Sequence, residues 1–475
     1  MKNIDKKLVL SILLIILKSS AFAQKQMNWY DCIDYALQNS TLVKQTQLQQ
    51  SLNELGIQQS KYNFTPSINA SLGQTLSFGR SLDFSTYQFV NQTVNNSNYA
   101  LTINQPIFEG LRNINSLEKA KLDLQASLQD ILTLNDNITL SVLVAYLNVL
   151  NAIEQKNQYS ILMQNTVLQL ESIKKMIAVG YLAANATIDL EKQQSSEQQQ
   201  YLALNSQVAA AYAAMKSTIG MSPEEAIEIE KPDIDRLILD TTIPPLQEVI
   251  ESALAMRSDI KSMDFKVESA KKDISIAKSY KYPSISFFTQ IGTNFSNQFM
   301  DRVLDDTIFA PIGLTAVSNE IVIGAYPNYV NSKVPFFKQL NQNLNYAIGI
   351  NVNIPIYNKR SAYLGIKRSM LNVENTLLQK EQLKLDIKNR VNESYLKTVA
   401  AKENMKSIMQ NIEWSKKAYQ LAKQRLEKGV ATQQEVNLSN NAIAIASIQL
   451  IQAKFEYLFN RKVLDYYLGK KIEIN

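Results

Sequence analysis

Between Leu111 and Val179 apolar residues recur with a seven-residue period. Counting a positions from Ile114 and d positions from Leu117, 15 of 19 seam sites up to Ile177 are apolar, among them Leu124, Leu128, Ile131, Ile138, Val142, Val149, Met163, Leu170 and Ile173. The same register moved on by 249 residues gives 14 of 19, from Tyr363 and Ile366 through Ile387, Val391, Ile408 and Ile412 to Leu426. Heptads sustained over this length predict long helices packed as coiled coils. The seam residues Lys121, Asn135, Lys156, Lys380 and Lys384 interrupt the pattern and read as register devices or solvated positions.

Elsewhere the period changes to two. Tyr346, Ile348, Ile350, Val352 and Ile354 alternate with Asn345, Ala347, Gly349, Asn351 and Asn353, and Tyr99, Leu101 and Ile103 alternate with Ala100, Thr102 and Asn104. Ser67 to Phe78 places Ile68, Ala70, Leu72, Leu76 and Phe78 against small polar residues, and Ser284 to Phe295 is similar but less clean. Strands of about ten residues with one apolar and one small polar face are the pattern of a transmembrane barrel, lipid outside and water inside. Tyr62, Phe64, Phe108, Tyr280, Tyr282 and Tyr357 lie within a few residues of Pro66, Pro106, Pro283 and Pro355, on the helix side of each strand. Such a ring fits an interfacial aromatic girdle.

The spacing of helix breakers exposes a tandem duplication. Pro66 and Pro283 are 217 residues apart, as are Ala36-Leu37 and Ala253-Leu254; Pro106 and Pro355, Gly180 and Gly429, and Gly220 and Gly469 are all 249 apart. A 32-residue insertion accounts for the change of offset. Each half reads helix, strand, loop, strand, long helix, turn, shorter helix. The organisation expected is a signal peptide at 1–23, a first repeat at 24–220 with strands near 67–79 and 97–107, an equatorial linker at 221–246, a second repeat at 247–469 with strands near 284–295 and 344–356, and a tail at 470–475. The linker carries Pro223, which reads as a helix start, and is expected to form a belt with the chain ends.

Composition narrows the function. Of 475 residues only 13 are Gly and 11 Pro, and four stretches of 69, 39, 63 and 39 residues contain neither. The longest, as helix, would measure about 100 Å, too long for a compact globular domain. With no His and one Cys, the commonest general base, Ser-His or Cys-His pairs, CxxC motifs and disulfides are excluded. No catalytic, cofactor or metal site is expected; Glu224 and Glu225 are the one pair of adjacent carboxylates weighed as an alternative. Lys2, Lys6 and Lys7, the apolar run Leu8 to Leu17 and Ala21-Phe22-Ala23 before Gln24 read as a secretory signal. Cys32 lies nine residues past that site, so lipoprotein processing is not evident. The formal charge of +6 falls to about +3 without the leader, too little to argue for nucleic acid.

Four strands cannot close a membrane barrel, and lipid tolerates no open sheet edge. Several chains must pool strands; two would give eight, with a filled interior, and three would give twelve around a water-filled lumen. The small residues of the polar face favour the homotrimer. In this order and spacing, the strand exits Asn104-Gln105-Pro106-Ile107-Phe108 and Asn353-Ile354-Pro355-Ile356-Tyr357 and the turns Ala178-Val179-Gly180-Tyr181 and Glu427-Lys428-Gly429-Val430 resemble the TolC family of outer membrane efflux proteins.

That resemblance covers nearly all of the mature chain. It implies a mainly α fold with transmembrane β: a homotrimeric 12-stranded β-barrel continued by a long periplasmic α-helical coiled-coil barrel, in the outer membrane of a Gram-negative-type bacterium. It also implies a passive exit duct of a tripartite efflux or type I secretion system, docking a periplasmic adaptor (membrane fusion) protein and an inner membrane transporter through Val179, Gly180, Tyr181, Lys428, Gly429 and Val430. Family members carry a carboxylate six residues after the turn glycine. Glu435 matches; in the first half that position is Ala186, and Asp189 and Glu191 are the nearest acids. Asp189, Glu191 and Glu435 are the candidate gate or selectivity residues, with compensation of helix dipoles as the plainer reading. A tyrosine and arginine that latch the second turn in the best-known member are replaced by Leu426 and Ala431. The insertion at 296–343 is expected as an extracellular loop that caps the barrel mouth or docks a surface partner. A secreted coiled-coil stalk or adhesin is the alternative.

Overall fold

The computed structural model describes residues 25–83, 87–233, 236 and 242–470. The expected signal peptide at 1–23 and residues 471–475 of the tail lie outside the described residues. In chain order the elements are β1 (Lys25–Met27), α1 (Trp29–Asn39), α2 (Thr41–Tyr62), β2 (Ser67–Asp83), β3 (Gln88–Glu109), α3 (Arg112–Ala178) and α4 (Ile188–Ile219). Then come β4 (Ile227–Ile229), α5 (Leu246–Met256), α6 (Ser258–Ser279), β5 (Ser284–Ser296), β6 (Met300–Leu314), β7 (Ile321–Lys333), α7 (Phe336–Gln342), β8 (Asn345–Asn353), α8 (Ser361–Glu427) and α9 (Gln433–Tyr467). The duplication is structural. Both ends of α5 lie 217 residues after those of α1, as do those of α6 after α2, and both ends of α8 lie 249 after those of α3.

The chain divides into two units. The first comprises Met1–Asn53, Leu122–Val267 and Glu374–Asn475 and is helical, with a short parallel pair of β1 and β4. Its largest core gathers Trp29, Cys32 and Ala36 of α1 with Val142, Leu143, Tyr146, Val149 and Leu150 of α3, Met215 and Ile219 of α4, and Phe455 and Leu458 of α9. Val142 and Val149 are a positions of the heptad, so the seam does pack inward here. Trp29 meets the Tyr146 ring edge-on at 5.7 Å, and the Tyr146 hydroxyl donates to the Glu230 carbonyl at 2.6 Å. The second repeat builds its own core from Val249 and Ala253 of α5, Ile387 and Val391 of α8, and Val463, Leu464 and Tyr467 of α9.

Beside that core lies a buried ion pair that sequence pattern does not announce. Arg257, the residue that caps α5, donates from Nε and Nη2 to Asp259 and from Nη1 to the Tyr466 hydroxyl at 3.0 Å, between the rings of Tyr466 and Tyr467. Burial pushes the Tyr466 hydroxyl up to about 12, which keeps it a neutral partner. Three of the five interrupting seam residues find polar partners, whereas Asn135 Oδ1 is buried without one. Lys156 reaches Asn205 at 2.8 Å, Lys380 pairs with Asp264 at 2.5 Å and Lys384 with Glu381 at 3.2 Å.

The second unit comprises Glu54–Lys121 and Glu268–Val373. Its centre is a four-stranded antiparallel sheet in the order β2-β3-β5-β8. Ile68 pairs with Ile103, Leu72 with Tyr99, Leu101 with Ile291 and Ile291 with Tyr346, so one face is apolar across all four strands. Many of its outward residues are exposed in the single chain, from 37% for Leu101 to 77% for Leu72 and Tyr346, while Tyr99 and Ile103 are half-buried. The other face carries Asn69, Ser71, Thr102, Asn98, Gln290 and Asn351. Phe288 is the residue that blurs the alternation of β5. It lies on the polar face opposite Gly349, where a Cβ would come within 2.7 Å of the ring.

Strand bounds depart from the hydropathy pattern in two places. β2 and β3 stay paired to Asp83 and Gln88, well past the last clean alternation, because the run Asn91 to Asn98 pairs through its backbone although Asn is a poor strand former. β8 stops at Asn353, ahead of Pro355, which has no N–H to give. The insertion expected as a loop is instead a β6–β7 hairpin continued by α7. Phe336 of α7 packs on Phe295 at 5.0 Å and Tyr99 at 6.4 Å, and Gln339 Oε1 accepts from the Ser296 N–H at 3.0 Å. Pro223, expected to start a helix, opens a turn in which the Glu225 N–H donates to the Ser222 carbonyl, because β4 pairing with β1 claims the next residues.

At the strand-to-helix corner Gly110 adopts φ +63°, and a Cβ there would lie 2.6 Å from the Ser279 carbonyl oxygen. This corner and the buried ion pair both bear on stability. Gly110→Ala combines the clash with the cost of the left-handed region and should lower stability by about 3 kcal/mol. Arg257→Leu strands Asp259 and should cost about 3 kcal/mol. Both are checked by denaturant unfolding of the purified protein, with Gly180→Ala, whose added Cβ meets open space, as the milder comparison.

Candidate functional site at the hairpin tips

The two long helices end in the same way. At the first tip the Gly180 N–H donates to the Ile177 carbonyl and the Tyr181 N–H to Met176; at the second Gly429 donates to Leu426 and Val430 to Arg425. These are Schellman closures, which need a left-handed residue, and Gly180 and Gly429 sit at φ +76° and +75°. Val179, Tyr181 and Val430 project into solvent, at 80%, 79% and 66% exposure. Large apolar side chains held out on a rigid turn are the kind of surface a partner buries.

Beyond the glycine the two turns diverge. After Gly429 the chain starts α9 at Gln433, with the Thr432 hydroxyl accepting from the Glu435 N–H. After Gly180 a 3₁₀ turn, Ala184–Thr187, delays α4 to Ile188. That delay explains the unequal spacing of the acids. Asp189, nine residues after its glycine, and Glu435, six after, both fall in the first turn of the returning helix, while Ala186 packs toward Leu170, Ile173 and Leu190. All three acids thus complement a helix N-terminus. Two also have cationic neighbours across the hairpin: Glu191 lies 3.7 Å from Lys174, and Glu435 lies 3.6 Å from Arg425. Arg425 is adjacent to Leu426, so a cation is present beside the position where the family latch is missing. Asp189 makes no side-chain hydrogen bond or ion pair among the described residues.

Farther up the hairpins sits a polar layer that heptad and alternation patterns do not single out. The Thr166 hydroxyl of α3 donates to Glu197 Oε1 at 3.0 Å, Gln193 Nε2 donates to the same oxygen at 2.8 Å, and Asn441 Nδ2 of α9 donates to Gln193 Oε1 at 3.0 Å. Glu197 is only 6% exposed, and its Oε2 has no hydrogen-bond partner. Toward the tip from this layer the first hairpin has its own core (Leu170, Ile173, Leu190), whereas the core of the second (Ala401, Met405, Ala453, Tyr457) lies on the other side of the layer, away from the tip. The Asn441–Gln193 bond ties the two hairpins together at this level. One signal of the layer is present in the sequence: Thr166 is a d position and the one Ser or Thr in the first seam.

In the other unit, the six collar aromatics stand at the helix-side end of the sheet, all exposed, from 37% for Phe108 to 79% for Tyr357. Arg112 lies 5.8 Å from the Tyr280 ring centroid and pairs with Glu109 at 2.6 Å. Glu224 and Glu225 are exposed in the turn before β4.

An amphipathic sheet with aromatic residues at its rim, in a duplicated chain of long helical hairpins, defines a channel protein of outer membranes. Residues 32–221 and 249–470 match the model of the Outer membrane efflux protein family, and the chain belongs to that family. A Haemophilus influenzae protein described as uncharacterized is 20% identical over 403 residues, covering 83% of this chain and 76% of its own. Among solved structures, the outer membrane protein VceC of Vibrio cholerae superposes with a TM-score of 0.71 at 14% identity, over 94% of this chain and 97% of that one. The CmeC outer membrane channel of Campylobacter jejuni gives 0.70 at 13% identity, over 94% and 86%. At such identities the likeness shows the fold alone. The family sets aside the stalk, adhesin and enzyme readings: the protein is an outer membrane exit channel.

The polar layer yields an expected outcome. Gln193→Leu leaves Glu197 and Asn441 without their shared partner and should destabilise the hairpin contact by about 1–3 kcal/mol, seen as at least about fivefold faster amide hydrogen exchange along 166–200. Arg425→Gln, at an exposed pair, should change exchange by less than fivefold.

Proposed function

We propose that three copies of this chain assemble into a passive exit duct of a tripartite efflux or type I secretion system. The observation that carries this reading is the pair of free sheet edges. Among the described residues β2 bonds only to β3 and β8 only to β5, and an open edge cannot face hydrocarbon. Three chains of four strands make a barrel of twelve, wide enough for a water-filled lumen lined by the Asn, Ser and Thr face. A second, independent feature supports assembly. Leu364, Leu371, Leu378 and Leu385 of α8 are spaced by seven residues and are 57%, 65%, 65% and 52% exposed, a seam without a partner inside the chain.

In this reading the leader at 1–23 is removed, the repeats 24–220 and 247–469 surround the linker 221–246, and the helices extend into the periplasm. A periplasmic adaptor linked to an inner membrane transporter docks on Val179 to Tyr181 and Lys428 to Val430. Three copies each of Asp189 and Glu435 converge at the narrow end and favour cations by focusing negative potential. The β6–β7 hairpin lies at the cell exterior, over the mouth or against a surface partner. Outer membrane lipid surrounds the apolar face between the aromatic rings.

The decisive experiment is reconstitution of detergent-purified protein. Native mass spectrometry should give three chains per particle, and planar bilayers should show cation-biased pores. Asp189→Ala combined with Glu435→Ala should bring the cation-to-anion permeability ratio several-fold closer to unity. Monomeric particles without conductance would overturn the assembly; unchanged selectivity would overturn the role of the acids.

A further inference from the structure

The strands of the sheet are free of charge for most of their length: 67–79, 88–108, 284–296 and 345–353 contain no Asp, Glu, Lys or Arg. Charge returns differently at the two ends. On the far side, 80–87 and 297–344 hold four cations against five acids. On the helix side, the six residues next to Pro66, Pro106, Pro283 and Pro355 hold Lys61, Arg112, Lys278, Lys281, Lys359 and Arg360 against one acid, Glu109. Glu109 is held by Arg112 at 2.6 Å. The other five cations are exposed and have no ion pair among the described residues. They alternate with the collar aromatics in Lys61-Tyr62, Tyr280-Lys281-Tyr282 and Tyr357-Asn358-Lys359.

From this one-sided charge we infer that the collar is a binding surface for anionic phospholipid headgroups of the leaflet on the helix side of the membrane. The inference rests on the sheet spanning the outer membrane. Rings at the collar sit at the interface between acyl chains and headgroups, and the adjoining ammonium and guanidinium groups, one or two residues on, reach the phosphates. Five uncompensated cations around an uncharged sheet complement a negative lipid surface and nothing in the chain itself. Arg112, the cation that has an acid, is also the half-buried one. A periplasmic protein partner would need acids arranged around the entire rim; a phosphate layer supplies them everywhere at once.

The test uses the full chain, purified in nonionic detergent and stripped of lipid, then equilibrated with mixed micelles of phosphatidylglycerol or phosphatidylcholine, or with sodium phosphate alone. Native mass spectrometry counts retained lipid. Phosphatidylglycerol should be retained at least tenfold more tightly than phosphatidylcholine, and the preference should shrink as salt rises. The triple variant Lys281→Gln, Lys359→Gln, Arg360→Gln should lose about 100-fold in phosphatidylglycerol affinity. Arg302→Gln, Lys333→Gln, Lys338→Gln at the other end should lose less than threefold. Equal retention of both lipids, no loss in the collar variant, or displacement by millimolar phosphate alone would overturn the inference. Should the triple variant fail to assemble, Lys281→Gln alone is expected to lose about fivefold, and no loss there overturns it equally. Fractionation of the same cells reads membrane placement separately, so a variant that reaches the outer membrane with unaltered lipid preference refutes the collar without touching the channel reading.

Discussion

Backbone N–H and C=O groups at a strand edge have to be bonded to something, and hydrocarbon offers nothing; each orphan costs several kcal/mol there, on the order of the whole stability of a small domain. The four-stranded sheet satisfies β3 and β5 on both sides but leaves β2 and β8 bonded on one. Its apolar face requires lipid, and its edges forbid lipid. Both demands are met together only when the edge of one chain becomes the neighbour of the next, so insertion and assembly are a single thermodynamic event for this sheet. The polar face, with Asn69, Ser71, Thr102 and Gln290, then has a lumen to face, and Phe288 over Gly349 is a bulky residue tolerated there because its neighbour has no side chain.

The same reasoning orders the rest of the chain. A sheet whose charge-free band ends at four prolines must hand over to helices at the interface, and Gly110 supplies a corner where no Cβ fits. Corresponding strand ends and helix starts recur at fixed offsets, so one solution to the lipid boundary is used twice. Beyond it, α3 and α8 run 67 residues each, α3 with neither Gly nor Pro and α8 with Gly365 alone, near its start, and their stability comes from seams rather than propensity. The internal seam is satisfied by α1, α4, α5 and α9. The exposed leucine seam on α8 obeys the same heptad logic, and in the proposed assembly it would pack on a neighbouring chain.

Most of the frame was legible in the sequence because it is written in period and spacing. Heptads gave α3 and α8, alternation gave the sheet, and the four glycines that end helices, Gly180, Gly220, Gly429 and Gly469, all adopt positive φ. What escaped was written in pairing. The Asn-rich part of β3 is a strand only because β2 lies beside it, and the β6–β7 hairpin shows no clean alternation because it exposes apolar residues on both faces. At the tip, the acid positions were visible, but the 3₁₀ turn that brings Asp189 into register with the helix start was not. The layer of Thr166, Gln193, Glu197 and Asn441 joins residues up to 275 positions apart, and no local pattern connects them. Mean hydropathy was misleading in both directions: it is −0.17 for the whole chain, yet it marks windows of α3 and α9 as apolar enough to cross a membrane, although these helices lie in the helical unit and only part of each window is buried there.

The distribution of interaction strength says where the helical unit can move. Around α1 and α5 the contacts are fully buried side chains, Val142, Val149, Val391 and Leu464 among them at 0% exposure, each worth about 2 kcal/mol or more. Nearer the tips the two hairpins meet through the Asn441–Gln193 bond, worth about 1 kcal/mol net. The ion pairs at Glu191 and Glu435 each join one hairpin to itself, are half exposed, and contribute at most about 1 kcal/mol. Separating the hairpins at that level is therefore cheaper by several kcal/mol than disturbing the level of α1 and α5. Glu197 weakens the layer, since its Oε2 is desolvated without a donor. A contact that is satisfied on one oxygen and unsatisfied on the other holds its surroundings only weakly.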